Sequence, residues 1–254
     1  MIGTIVNTCT IVAGTVLGAM LHRGIKEKYK TVLYDGLGLV SLAIGLNAVV
    51  RNFPKSEYPV LFIVAMALGG VVGTWLDIDG RFKRLVNGPL LTSSRRGGTS
   101  EVKKAEVLSD NKGTNEPETA RGSLADGLST AILLYCIGPL SMLGPVVSAL
   151  QGDHTFLFTN ATLDFVSATI FASTYGLGMV LAAPVLFCWQ GMFYLIAQFS
   201  ISAVSDALMA ELLIVGGLMI MASGLSLLRL KDCKTLNFLP ALLVPVVWFI
   251  VHSL

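Results

Sequence analysis

The chain has 254 residues, of which 54% are hydrophobic and only 13% are charged, and its formal net charge at pH 7 is +2. A soluble domain carries about a quarter charged residues, so this composition excludes an ordinary soluble globular protein. Apolar runs near twenty residues, the length that crosses about 30 Å of hydrocarbon as a helix, recur along the sequence. They lack the alternation of a transmembrane barrel, so we predict an all-α integral membrane protein.

Eight apolar runs predict about eight transmembrane helices. The first run has no basic region ahead of it and seven runs follow, so we interpret it as a retained span and not as a signal peptide. The fifth and sixth runs are the least clearly separated, since only Pro184 and the Trp-Gln-Gly step at 189–191 divide them. In chain order the predicted spans are 2–21, 32–50, 58–76, 124–150, 163–185, 188–204, 207–228 and 236–251.

Positive charge predicts the orientation of these spans. Sixteen of the 18 Lys and Arg residues follow spans 1, 3 and 7, and only Arg51 and Lys55 lie on the other side. Because basic loops stay in the cytoplasm, this distribution places both termini outside. A re-entrant pair in place of spans 5 and 6 would give the same orientation.

The segment 87–121 differs in composition from the rest of the chain. It is rich in Gly, Ser, Thr, Lys and Glu and poor in large apolar residues, so it cannot bury a core. We predict a flexible cytoplasmic linker between spans 1–3 (1–86) and spans 4–8 (122–254). A docking site for a partner or for anionic lipid is the alternative for this linker.

Landmarks in the two halves suggest an internal repeat. Residues 10–20 (TIVAGTVLGAM) match 169–179 (TIFASTYGLGM) at five of eleven positions, and both span 4 and span 8 contain two prolines. We predict a parallel 4+4 repeat with Pro-broken helices 4 and 8; an inverted repeat, or none, is the alternative. The predicted helix-break residues are Gly138, Pro139, Gly144, Pro145, Pro240 and Pro245.

Three carboxylates occur in or beside the apolar runs, where a charge costs a few kcal/mol and usually faces a cavity or a partner. Asp164 lies near the predicted outer end of span 5, Glu211 near the outer end of span 7 and Asp126 near the inner end of span 4. All three could reach interfacial water, so an interfacial role stays open beside ligand binding.

Polar uncharged residues complete the set of candidate ligand contacts. Each of them could instead cap a helix or hydrogen-bond to a neighbouring helix. Ser167 shares a helix face with Asp164. The other candidates are Asn7, Asn47, Gln190 and Asn237.

Motifs for catalysis are missing from the sequence. It contains no HExxH, no Walker GK[ST] loop and no GxSxG, and its four cysteines form no CxxC pair. We therefore predict no enzyme activity, no cofactor and no metal site.

Several segments carry a resemblance to a known family. "GTIVNTCTIVAGTVLG", "GLGLVSLAIGLNAV", "LYCIGPLSMLGPV" and "LDFVSATIFASTYGLG" occur in order over nearly the whole chain. The sequence resembles the bacterial membrane-protein family called domain of unknown function 554, whose members are sometimes described as transport proteins. The resemblance implies a location in the bacterial inner membrane and assigns no activity.

The sequence favours a secondary transporter or channel for a small solute or ion, with a site between the halves. Asp164 and Asp126 would bind a monovalent coupling cation, and Asn7, Asn47 and Gln190 would contact the solute. The alternative is a non-transporting scaffold or regulator that acts through protein contacts. The expected partners are membrane lipids and the solute or cation, with no nucleic acid; a homo-oligomer stays open.

Overall fold

The structure is a computed structural model, and it describes residues 1–21, 25–87, 124–200 and 204–253. The predicted linker 87–121 therefore lies, except for its first residue, outside the described residues. Within the described ranges the chain is helical, with 3₁₀ segments at Phe53–Lys55, Leu177–Leu181 and Thr235–Leu242. The α-helices are α1 (Ile2–Met20), α2 (Glu27–Asn52), α3 (Leu61–Trp75), α4 (Ile78–Asn87), α5 (Leu124–Ile137), α6 (Pro139–Gln151), α7 (Thr155–Tyr175), α8 (Ala182–Phe199), α9 (Asp206–Leu227) and α10 (Leu243–Ser253).

Six helical segments of the described chain are long and apolar enough to cross a membrane. They are α1, α2 with its 3₁₀ turn, α7, the segment 177–199, α9 and the segment 235–252. The bent pair α5–α6 would make a seventh, and α3 is apolar but has only 15 residues. The class of all-α integral membrane protein is thus confirmed at the level of six to seven spans.

Large apolar side chains cover much of the outer surface. Trp75 is 83% exposed and Phe199 is 86% exposed, and many Leu, Val and Ile residues on α1, α2 and α3 are more than 40% exposed. Contiguous apolar surface of this extent is typical of a lipid-facing exterior.

The helix α1 packs along α7 through small residues. A Cβ on Gly14 would lie 2.5 Å from the carbonyl oxygen of Phe165, and one on Gly18 would overlap the carbonyl oxygen of Thr169. Glycine therefore permits the close backbone contact here. Since the contact positions advance together along both helices, α1 and α7 run parallel and begin at the same end of the bundle.

Two other interfaces join the first part of the chain to the last. Gly38 of α2 contacts Gly224 of α9, and Gly45 contacts Gly217, so these helices run antiparallel. In the same way α3 runs antiparallel to the segment 235–242. The stretches 1–86 and 122–254 are therefore interleaved in one bundle.

The predicted 4+4 repeat is not displayed by this packing. A parallel repeat relates span 2 to span 6 and span 3 to span 7. An interface between α2 and α9 would then require a matching interface between α3 and α8. Among the described helices, α3 and α8 share no interface comparable with that of α2 and α9. The repeat stays a prediction from the sequence.

The helix α7 begins eight residues before the predicted span 163–185, and its predicted boundaries are wrong. Gly152 has φ +68° and ends α6, and the carboxylate of Asp153 accepts a hydrogen bond from the Thr155 amide at 2.8 Å. Hydrogen bonds from Thr155 also hold the pKa of Asp153 below its ordinary value. The helix ends at Tyr175, before Gly176 with φ +82°. Asp164 consequently lies in the middle of α7 and not near its end.

Only one of the two Gly-Pro pairs breaks a helix. Gly138 and Pro139 separate α5 from α6, which meet at 45°. Gly144 and Pro145 lie inside α6, and a Cβ on Gly144 would lie 3.0 Å from the side chain of Leu157. The second pair thus serves α6–α7 packing, and the prediction of a break there is wrong.

The prolines of the last span lie in different kinds of helix. Pro240 is inside the 3₁₀ segment 235–242, and Pro245 is in the first turn of α10. The predicted distortion of this span is therefore a tightened helix that continues into α10.

Candidate functional site

A cavity of about 430 Å³ lies between α2, α5, α6, α7 and α9. One side of it is formed by Gly138 and Pro139, so the helix break and the cavity coincide. It extends from Asp164 in the middle of α7 to Asp232 and Lys234, beside the start of α4. We call that end of the bundle the α4 end.

Asp164 is the carboxylate at the deep end of the cavity. Its Oδ2 accepts hydrogen bonds from Asn7 Nδ2 of α1 at 2.9 Å and from Asn160 Nδ2 at 2.7 Å. The side chain is 5% exposed and contributes to the cavity wall. Within the described part of the chain no Lys, Arg or His forms an ion pair with it.

The position of Asp164 dictates what the cavity can hold. A carboxylate near the centre of a membrane helix costs about 2.5–3.5 kcal/mol on insertion scales. The two amide donors offset only part of this cost, and the described residues supply no compensating positive charge. The carboxyl group therefore has to carry a proton, bind a cation or bind a cationic ligand.

The break in span 4 also frees a backbone carbonyl three residues before Gly138, which contributes to the cavity wall. Pro139 has no N–H, so the carbonyl of Tyr135 lacks its helical donor four residues ahead. Tyr135 and Cys136 are buried at the end of α5, and Leu134, Gly138 and Pro139 beside them contribute to the cavity wall. A broken helix with free carbonyls beside a cavity is a known means of ligand binding at membrane depth.

Five of the predicted residues meet at this site. Asn7 is fully buried, and its Oδ1 has no hydrogen-bond partner among the described groups. Ser167, one helical turn from Asp164, also contributes to the cavity wall. Gly138 and Pro139 complete the set.

Asn47 and Gln190 lie elsewhere. The side chain of Asn47 is exposed on α2 and is not part of the cavity wall. Gln190 is fully buried in α8, where its Nε2 donates to the hydroxyl of Ser141 at 3.1 Å. It joins α8 to α6, just after the break.

Glu211 and Asn237 support the backbone. Oε1 of Glu211 accepts hydrogen bonds from the Ser56 hydroxyl and from the Tyr58 amide, and thereby ties α9 to the α2–α3 loop. Oδ1 of Asn237 accepts from the amide of Asp79 in the first turn of α4, at 3.0 Å. Asp126 belongs to α5, and its side chain lies outside the described part of the structure.

Asn160 is the site residue that the sequence prediction missed. It precedes Asp164 by four positions and so shares its helix face, but the predicted span began only at residue 163. Hydroxyl groups on the cavity wall were missed as well, because single serines and threonines in apolar helices carry little signal. They belong to Ser41, Thr130, Ser223, Ser226 and Thr235.

The fold and the site define a polytopic helical membrane protein with a carboxylate-ended cavity at membrane depth. The family model described as "Protein of unknown function (DUF554)" matches residues 2–250, and the chain belongs to this family. It is 43% identical over 254 residues to the "Uncharacterized membrane protein YdfK" of Bacillus subtilis (strain 168), covering all of this chain and 98% of the relative.

A second relative is more distant. The chain is 27% identical over 247 residues to the "Uncharacterized protein YqgA" of Escherichia coli (strain K12), with 96% of this chain and 94% of the relative covered. No solved structure matches the chain.

Proposed function

We propose that the protein is a secondary transporter or channel for a small solute or ion, and that Asp164 binds the transported or coupling cation. The observation that carries the proposal is the cavity, which leads from the α4 end to an uncompensated carboxylate at the middle of α7. A packing interface alone would fill this space with side chains, since protein interiors contain few large voids.

The relative directions of three packed helix pairs support eight crossings of the membrane. The helices α1 and α7 begin at the same end of the bundle. Between them in the sequence, α2 and α3 each cross the membrane once. A single crossing by the α5–α6 pair fits this arrangement if α4 and the start of α5 lie on the same side of the membrane. A re-entrant loop at Gly138 and Pro139 would have made α7 antiparallel to α1. The antiparallel packing of α2 on α9 and of α3 on 235–242 fits the same count.

The basic residues then give the orientation. Residues 228–235 and α4 lie at one end, joined by the hydrogen bond between Asn237 and Asp79. The positive-inside rule places this α4 end in the cytoplasm of a bacterial inner membrane, with both termini outside. In this orientation the cavity extends toward the cytoplasm.

Electrical measurements on reconstituted protein test the function. Proteoliposomes on a solid-supported membrane are challenged with gradients of H⁺, Na⁺, K⁺ and NH₄⁺. We expect a current for at least one of these cations, reduced at least tenfold in Asp164→Asn. Glu57→Gln, which changes an exposed carboxylate of the α2–α3 loop, is the control and should leave the current unchanged.

Deletion of residues 90–120 separates transport from a scaffold role. A transporter that uses the cavity keeps its current without this segment. Absence of any current in the wild-type protein, or a current that Asp164→Asn leaves intact, would overturn the proposal.

A further inference from the structure

The walls of the cavity are mainly aliphatic. Leucine and isoleucine side chains from α2, α5, α6, α7 and α9 face it, among them Leu37, Leu133, Leu140, Leu163 and Ile220. These side chains offer no oxygen ligands to an inorganic cation, and Na⁺ needs several such ligands to replace its hydration shell. The side chains do match an alkyl chain, which gains about 0.8 kcal/mol per buried CH₂.

A carboxylate, an amide and a hydroxyl group meet at the deep end, on one face of α7. Asp164 has one oxygen, Oδ2, occupied by two amide donors, and no described group donates to Oδ1. Asn160 and Ser167 lie on the same face of α7 and also contribute to the wall there. A carboxylate oxygen with amide and hydroxyl oxygens nearby suits an ammonium group, which has three donors and a positive charge.

The charge distribution of the cavity disfavours anionic ligands at Asp164. The basic side chain on the described wall, Lys234, lies at the α4 end together with Asp79 and Asp232. An anion or a carboxylate ligand would meet only negative charge at Asp164. A cation at the same position meets the opposite charge of the carboxylate.

We infer that the site takes a small organic cation: an alkylamine whose ammonium group binds Asp164 and whose aliphatic body packs between α2, α5 and α9. The inference rests on the proposed function, since it names the ligand class of the same site. A volume of about 430 Å³ lies within the roughly 300–1,000 Å³ of small-molecule sites.

Isosteric probes test the ligand class on the full chain. Protein in phosphatidylcholine nanodiscs is heated with pentylamine, pentanol or pentanoate, which have five carbon atoms each and differ in charge. We expect pentylamine to raise the melting temperature in a saturable way, and the neutral and anionic probes to leave it unchanged. Equal stabilisation by pentanol would show an apolar cavity without charge recognition and would overturn the inference.

The variant Asp164→Asn should weaken pentylamine binding about tenfold or more, because a charge-assisted hydrogen bond is replaced by a neutral one. Glu57→Gln serves again as the control and should bind like the wild type. If Asp164→Asn does not fold, the comparison of the three probes on the wild type still decides.

Failure of the inference and failure of the function give different results. Asp164-dependent currents with Na⁺ or H⁺, but no stabilisation by pentylamine, would overturn the ligand class and leave transport standing. Stabilisation by pentylamine that needs Asp164, without any current, would uphold the site and overturn transport.

Discussion

At the scale of single residues, two asparagines from different helices hold Asp164. Asn160 is four positions away on α7, so its hydrogen bond is local, whereas Asn7 belongs to α1 and its bond spans 157 positions in sequence. The bond from Asn7 therefore depends on the α1–α7 interface, and it couples that interface to the state of the carboxylate.

Replacement of Asn7 should be costly, and replacement of Asn47 should not. Asn7→Ala removes a buried hydrogen bond to Asp164, so we expect a loss of about 1–3 kcal/mol in stability. Asn47→Ala changes an exposed amide and should stay within about 0.5 kcal/mol. Thermal melting in nanodiscs measures both, and equal melting temperatures for the two variants would contradict the role given to Asn7.

The sequence predicts part of this site and cannot predict the rest. Asp164 is recognisable because a carboxylate in an apolar helix is rare and expensive. Asn7 has no such mark: an amide in a membrane helix also fits capping or packing, as Asn237 and Gln190 demonstrate. Which amide meets the carboxylate depends on the pairing of α1 with α7, and no local pattern specifies that pairing.

At the scale of elements, glycines set how closely helices approach. A Cβ on Gly73 of α3 would overlap the carbonyl oxygen of Asn237, whereas one on Gly36 of α2 would meet nothing within 4 Å. The two positions look alike in sequence, since each is a glycine in an apolar helix, and only the packing distinguishes them.

Alanine at these two positions should have opposite effects. Gly73→Ala forces α3 away from the segment 235–242, and we expect a loss of about 1–3 kcal/mol, or roughly 2–12 °C in melting temperature. Gly36→Ala should leave the melting temperature unchanged or raise it slightly, because alanine is the better helix former. A stable Gly73→Ala protein would contradict the close packing of these two segments.

Glu211 is a second buried carboxylate, and its variants test whether its role is to accept hydrogen bonds. Glu211→Ala leaves the Ser56 hydroxyl and the Tyr58 amide without their acceptor, so we expect a loss of about 1–3 kcal/mol. Glu211→Gln keeps an acceptor oxygen of the same shape and should lose much less in thermal melting. If the glutamine variant is as unstable as the alanine variant, the charge itself is needed and the hydrogen-bond explanation fails.

The element boundaries show where sequence patterns fail. The start of α7 contains Thr155, Thr159 and Thr162, which read as a polar loop beside an apolar span. The hydroxyls of Thr159 and Thr162 donate to carbonyls one turn earlier, so the polar groups are satisfied inside the helix. Hydropathy alone counts them as costly and therefore places the helix start too late.

At the scale of the whole molecule, the hydrophilic segment after α4 divides the sequence but not the bundle. The sequence suggests two units, 1–86 and 122–254, whereas the large interfaces join α1 to α7, α2 to α9 and α3 to 235–242. The helices α1, α2 and α3 thus bury their small-residue faces against the second part. Such long-range pairing leaves no trace in local periodicity, so the membrane class could be predicted and the helix arrangement could not.

The orientation of the bundle yields a last prediction. In a variant with the four native cysteines replaced, Glu57→Cys lies in the α2–α3 loop and Lys231→Cys lies beside the α4 end, and both positions are exposed. We expect a membrane-impermeant maleimide to label Glu57→Cys in intact spheroplasts, and Lys231→Cys only after lysis. The reason is that the two positions lie at opposite ends of α9: Glu211 near its start contacts the α2–α3 loop, and Lys231 follows its end. The reverse labelling would show that the orientation is inverted and that the cavity extends toward the outside. Labelling of both positions from one side would show that α9 does not span the membrane.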